Sequence, residues 1–279
     1  MEVFEDIHGL RTFIKRIKEN KKDIGLVPTM GSLHEGHVAL IRKCKSLSNI
    51  SVVSIFVNPT QFGPKEDFNQ YPRDLGGDLK ICAMEGVDVV FCPSKEGMYH
   101  NNFRTIVKVE GLSEVLCGTF RPGHFDGMVT VVLKLFLIVS PDRSFFGEKD
   151  YQQLVIIKQM VKDLNIPVSI HSVETQREED GLAFSTRNRY LSYTERTLAL
   201  SIYSALLEGK RMFIAGNVSP VMIYRVARDK LVSSGLKNID YISLVEPNTL
   251  ITPNKAYTMC RLLIAAKIGS NRLIDNIAI

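Results

Sequence analysis

Short β-branched runs alternate with longer helix-patterned stretches through the first two thirds of the chain, and this alternation limits the fold more than any other feature. Residues 24–27 (I-G-L-V) read as a strand, and a helix starting near Glu35 then carries Val38, Leu40, Ile41 and Cys44. Residues 51–57 are nearly all apolar, as expected for a strand covered on both faces. A helix over 75–85 closes at Gly86, where glycine supplies a left-handed C-terminal turn, and a strand at 87–91 follows. A helix over 126–139, a strand at 144–146, a helix over 151–163 and a strand at 168–173 repeat the pattern. Strands separated by helices predict βαβ units and an α/β, largely parallel, doubly wound sheet. Ligands of such sheets bind outside the carboxyl ends of the strands.

The texture changes near Arg177. A polar stretch over 176–188 precedes amphipathic helical patterns at 193–213 and 220–233, then strand-like runs at 239–245 and 257–263. Residues 1–175 and 176–279 are therefore expected to form a large α/β domain and a smaller α+β domain, both within the usual size range.

Composition excludes several classes. Of 279 residues 45% are hydrophobic and 23% charged, which is ordinary for a soluble globular chain. The longest apolar stretch, 129–139, is interrupted by Lys134 and too short to span a bilayer, so no membrane association is expected. The acidic start M-E-V-F-E-D is unlike a secretory signal. Five cysteines, none in a C-x-x-C pair, read as reduced core residues of a cytoplasmic protein. The net charge of +5 favours phosphorylated partners. With no Trp and no dense basic cluster, a nucleic acid is not the expected one.

Four segments carry chemistry. The first, P-T-M-G-S-L-H-E-G-H over 28–37, joins a buried strand to a helix through a loop with two glycines. Unpaired N–H groups and the positive helix end face such a loop, which suits phosphate. A P-loop is excluded, because His37 stands where that motif needs lysine and Val38 where it needs Ser or Thr. The spacing is not H-E-x-x-H, and neither a cysteine nor a third histidine lies nearby, which argues against a metal. A purely structural histidine pair stays open, but the strand-end position favours a ligand. The second segment, N-P-T-Q-F-G over 58–63, follows the next buried strand and offers Gln61 as an uncharged donor and acceptor, although a plain turn fits it equally. The third, F-G-E-K-D-Y-Q-Q over 146–153, repeats the strand–glycine–helix pattern, with Lys149 as a point charge for phosphate and Asp150 at the N-cap position. The fourth, F-S-T-R-N over 184–188, offers two hydroxyls and an arginine fork that fit a triphosphate.

These segments, with Y-P-R-D-L at 71–75, R-P-G-H-F-D-G-M-V-T-V-V-L-K-L-F at 121–136 and D-G-L-A-F-S-T-R-N-R-Y-L at 180–191, occur in register over 20–192. Together they resemble the pantothenate synthetase (pantoate–β-alanine ligase) family of the HIGH-type nucleotidyltransferases. The resemblance implies a Rossmann-like N-terminal domain, a smaller C-terminal domain closing over the site, a homodimer and Mg2+-ATP. It implies condensation of pantoate with β-alanine through pantoyl adenylate, with release of pyrophosphate and AMP. Met30, Gly31, Ser32, Leu33, His34, Glu35, Gly36 and His37 match an ATP segment, with His37 the proton donor or stabiliser of departing pyrophosphate and His34 beside it. Gly147, Glu148, Lys149 and Asp150 match a second ATP segment, with Lys149 on the phosphates. Phe184, Ser185, Thr186 and Arg187 match the loop equivalent to KMSKS, and Gln176 an adenine contact through its backbone. Gln61 matches a contact to pantoate and β-alanine, and Gln153 a second pantoate contact. Asp78 is a candidate carboxylate near Mg2+, and Arg121 and His124 are candidate pocket residues.

The chain departs from the family pattern in three places: Phe184 and Thr186 where M-S-S-R is usual, Gln176 where valine is common, and Glu174 where proline is frequent. None removes a catalytic group. A HIGH-class enzyme charging a phosphorylated acceptor is the competing reading. The uncharged Gln61 and Gln153 argue against it, since a phosphate acceptor calls for more cations.

Overall fold

The computed structural model describes residues 1–64, 66–216 and 218–279. The chain enters through β1 (Glu2–Phe4) and α1 (Ile7–Glu19), passes through β2 (Ile24–Thr29), α2 (Glu35–Leu47) and β3 (Ile50–Ile55), and reaches α3 (Leu75–Met84) and β4 (Val89–Phe91). Two four-residue turns, α4 (Lys95–Met98) and α5 (Cys117–Phe120), precede α6 (His124–Val139). β5 (Arg143–Gly147), α7 (Tyr151–Asp163) and β6 (Ser169–Val173) complete a six-stranded sheet, wholly parallel, in the order β1-β4-β3-β2-β5-β6.

Alternating side chains explain why both faces are covered. Leu26, Val52, Val89 and Phe146 pack into one cluster with α1, α6 and α7, whereas their neighbours Val27, Val53, Val90 and Phe145 pack into another with α2. Period-2 alternation with both sets apolar is the signature of a strand buried on two sides. The expected doubly wound α/β sheet is the one observed. From β2 the chain steps outward through β3 to β4, then crosses back to place β5 on the other flank of β2. The strand order therefore reverses between β2 and β5, and a crevice opens at their carboxyl ends.

The remaining residues form α8 (Tyr193–Ile214), α9 (Pro220–Ser233) and an antiparallel sheet of β7 (Ile239–Val245), β8 (Arg261–Ile268) and β9 (Asn271–Ala278) around a separate core. A small cluster of Val155, Val245, Leu250 and Leu263 joins the two parts. The strand expected over 257–263 begins only at Arg261, because Met259 adopts φ +91° and cannot continue an extended run. Neither β9 nor the N-terminal β1–α1 pair is evident in the sequence pattern. The apolar stretch over 129–139 lies in α6 as a buried helix, and among the described residues no helix is long and apolar enough to cross a membrane.

Candidate active site

The crevice is built from the loops after β2, β3 and β5. After β2 the chain turns through Gly31 at φ +77° and Ser32 at φ +52°. Gly31 is required twice over: its φ is left-handed, and a Cβ there would lie 2.7 Å from Asp78 Oδ2 and 3.0 Å from Ile55 Cγ2. The strained turn is held by the buried Asp78 carboxylate on α3, which accepts N–H groups from Ser32 (2.8 Å) and Leu33 (2.7 Å). Burial raises the Asp78 pKa, and the two amide bonds oppose it. Both carboxylate oxygens are thus engaged in shaping the loop. Asp78→Asn turns an NH2 group against one of these amides, and a loss of about 1–3 kcal/mol in denaturant unfolding is expected. Wild-type stability in that variant would contradict this role.

His34 is the N-cap of α2, and with His37 it forms a reciprocal capping box. Gly36 N–H donates to His34 Nδ1 (3.2 Å), and His34 N–H donates to His37 Nδ1 (3.3 Å). In each ring Nδ1 is the acceptor, so the neutral imidazole carries its proton on Nε2. Burial and then the Lys149 charge lower the His34 pKa to about 4. Burial, His34 and Lys149 together hold His37 well below its ordinary value. The pair therefore offers neutral N–H donors near pH 7 rather than an imidazolium. Phe184 stacks on His34 with ring centroids 5.9 Å apart.

These depressed values couple to stability. Unfolded histidines titrate near 6.5, so as the pH falls from 6.5 toward 4 the unfolded chain binds protons that the folded chain refuses. The contribution is complete above 6.5 and is lost as the pH falls, at up to about 1.4 kcal/mol per pH unit for each such histidine. Urea midpoints measured from pH 7 to pH 5 should fall steadily, and a flat profile would contradict the buried neutral histidines.

Beyond β5, Gly147 leads into a tight turn over Glu148–Asp150. Asn276 of β9 donates to the carbonyls of Glu148 and Lys149, both at 2.9 Å, and the Glu148 carboxylate pairs with Arg261 of β8. The C-terminal sheet thus fixes the backbone under Lys149, whose ammonium makes a loose contact with Asp150 (3.9 Å). Asp150 occupies the N-cap position of α7, but its side chain makes no capping bond. The adjacent glutamines divide the work. Gln152 is buried and bonded to the backbone at Leu112, Val115 and Cys117, while Gln153 faces the cavity.

Beyond β3, Asn58 and Gln61 sit in a buried turn. Asn58 Nδ2 donates to Gln61 Oε1 (3.0 Å) and to the Gly127 carbonyl (3.1 Å), and Tyr99 OH donates to Asn58 Oδ1 (2.9 Å). Gln61 Nε2 reaches Met30 Sδ at 3.1 Å, which joins the first two segments. Sequence reasoning does not single out Asn58 and Tyr99. Asn58 stands in the second motif, but its partners are remote in the chain.

The fourth segment folds back onto the first. Thr186 Oγ1 donates to the Ser32 carbonyl (3.4 Å), and Ser185 caps the following turn by accepting from Arg187 N–H (3.3 Å). Arg187 forms a two-bond pair with Asp67 (3.0 and 2.9 Å). Gln176 accepts Phe184 N–H at its carbonyl (3.0 Å) and turns its side chain to the Glu174 carbonyl. The departures at Phe184 and Thr186 thus fill packing and docking positions.

Met30, His34, Gly36, His37, Gln61, Gly147, Lys149, Asp150, Gln153, Gln176, Phe184, Ser185, Thr186 and Arg187 surround one cavity of about 220 Å3. Gly31, Ser32 and Leu33 are buried beneath it, Glu35 is exposed on α2, and Glu148 faces Arg261. A neighbouring cleft of about 910 Å3 lies toward the C-terminal sheet and shares Arg121, His124, Lys149 and Gln153 with the first. Among the described residues no group of three or more His, Cys, Asp or Glu is arranged to hold a metal. With Asp78 committed to the loop amides, the side chains do not fit a protein-held Mg2+.

The family model for pantoate-beta-alanine ligase matches residues 2–278. The chain belongs to this family. A pantothenate synthetase from Sulfurihydrogenibium sp. is 51% identical over 279 residues, covering 99% of each chain. The crystal structure of pantothenate synthetase from Thermus thermophilus superposes with a TM-score of 0.95 at 42% identity, covering 99% of each chain. A pantoate-β-alanine ligase from Francisella tularensis, solved in complex with β-γ ATP and β-alanine, gives a TM-score of 0.84 at 37% identity over 100% of this chain and 97% of that one. Three of the motifs that carry the family resemblance, at 28–37, 58–63 and 146–153, are the strand-end loops that meet in the crevice of this ligase-family chain.

Proposed function

We propose that the chain condenses pantoate with β-alanine at the expense of ATP. In the first step a pantoate carboxylate oxygen attacks the α-phosphorus, and the bond to pyrophosphate breaks. In the second the β-alanine amine attacks the acyl carbon of pantoyl adenylate, AMP leaves with the bridging oxygen, and the amine gives up a proton. The observation that carries this reading is the meeting, at one crevice, of fixed neutral N–H donors, a lysine and the uncharged Gln61 and Gln153. Anions brought together need positioning and charge stabilisation above all.

His34 and His37 donate to the phosphates, Lys149 neutralises the charge that grows on departing pyrophosphate, and Arg187 exchanges Asp67 for the triphosphate. Gln61 and Gln153 orient pantoate without repelling its carboxylate. Magnesium enters with the nucleotide as Mg2+-ATP, which accords with its habit of keeping water and binding through substrate phosphates. Residues 176–279 close over the site as a second domain, which keeps the mixed anhydride from water. A cytoplasmic homodimer accords with the family and with five free cysteines, four of them buried.

The test is product release. With ATP, Mg2+ and pantoate, pyrophosphate should form, and AMP and pantothenate should follow only when β-alanine is added. ATP left intact with all substrates present, or consumed only with a phosphorylated acceptor, would overturn the proposal.

A further inference from the structure

A spectator charge in this reaction has no cationic partner among the groups already given a role. Pantoate loses its carboxylate charge when the anhydride forms, but β-alanine keeps its carboxylate through both bonding changes. Lys149, His34 and His37 face the phosphates, and Arg187 belongs to the loop expected at the triphosphate.

Arg121, from the turn before α6, remains. Its Nε and Nη2 donate to the two oxygens of Glu66, both at 2.6 Å. Nη1 donates to His124 Nε2 (2.9 Å), and Nη2 also reaches the Gln61 carbonyl (3.4 Å). His124 in turn donates from Nδ1 to that same carbonyl at 2.7 Å, which sets its tautomer and leaves Nε2 free to accept from the guanidinium. Burial and then the Arg121 charge lower the His124 pKa to about 3, so the ring remains a neutral brace. The guanidinium is therefore aimed and mostly buried, with its side chain 16% exposed. It lies beside Gln61 on the wall common to the small cavity and the larger cleft.

The partner of Arg121 is informative. Glu66 binds the fork edge as a free carboxylate does, two oxygens to two N–H groups. The next residue, Asp67, holds Arg187 in the same manner. One short segment after the Gln61 turn thus supplies a carboxylate to each of two cavity-lining arginines.

We propose that Arg121 reads the β-alanine carboxylate, entering from the larger cleft, and that Glu66 occupies that seat until the substrate displaces it. This assignment rests on the ligase reading and selects the second substrate as an amine bearing a carboxylate.

Two half-reactions separate the outcomes. Arg121→Gln should lower kcat/KM for β-alanine by about 10²-fold, at least about tenfold more than it lowers pantoate-driven exchange of pyrophosphate into ATP. The unmodified enzyme should prefer β-alanine over propylamine, which has the same chain and no carboxylate, by about 10²-fold or more, and Arg121→Gln should erase most of that preference. Glu66→Gln, a weaker competitor for the fork, should lower KM for β-alanine severalfold; a merely propping role would raise it. Equal losses in both half-reactions, a preserved preference, or a higher KM in Glu66→Gln would overturn the assignment. Absence of pantoate-driven exchange in the unmodified enzyme would instead overturn the ligase reading, and this assignment with it.

Discussion

Lys149→Ala is expected to lower kcat by about 10²–10³-fold with little loss of stability, as removal of one group that meets developing charge usually does. The turn carrying Lys149 is held by Asn276 through its backbone, and among the described residues the lysine ammonium makes only the loose 3.9 Å contact with Asp150. Truncation therefore removes the charge and leaves the turn in place. His37→Ala should cost about 10²-fold or more in kcat as well, but it also breaks the capping box of α2. Loss of a cap is worth about 1 kcal/mol, so His37→Ala should lower the melting temperature where Lys149→Ala does not. Steady-state kinetics and melting curves of both variants check this contrast. Near-normal turnover in both would remove these residues from the phosphate site.

The second large effect is expected at a glycine. Gly127 lies in the first turns of α6 where the helix crosses the Gln61 turn, and a Cβ there would stand 2.1 Å from the Thr60 carbonyl oxygen and 2.7 Å from Gln61 N. Those contacts are with backbone, so no rotamer change relieves them. Gly127→Ala must push helix and turn apart, and overpacking of this kind costs roughly 1–3 kcal/mol or more. The shift would also break the Asn58 bond to the Gly127 carbonyl and move Gln61 away from Met30. A melting temperature lower by several degrees, with a raised KM for pantoate, is the expected result. An unchanged KM would mean that Gln61 does not depend on this crossing.

Local signals are readable in the sequence and remote ones are not. The strand–glycine–helix junctions at 28–37 and 146–153 mark strand ends by composition alone, and the doubly wound sheet puts both at the reversal between β2 and β5. The reciprocal cap of His34 and His37 is not legible there, because histidine is an uncommon cap. The role of Asp78 depends on amides 45 and 46 positions earlier, so no sequence window could contain it. Asn276 and Arg261 reach the Lys149 turn across more than a hundred residues, and β9, which carries Asn276, escapes notice because its mixture of polar and apolar residues resembles a loop. Gln152 and Gln153 are equal as letters. The buried backbone groups around Gln152 assign it to structure and leave Gln153 to the cavity.

The central claim is that the pantoate carboxylate attacks phosphorus and that AMP later leaves from the acyl carbon. Pantoate labelled with heavy oxygen at both carboxylate positions tests it directly by mass spectrometry of the products. One labelled oxygen in AMP, one in the new amide and none in pyrophosphate is the predicted outcome. Label in pyrophosphate, or AMP without label, would contradict it.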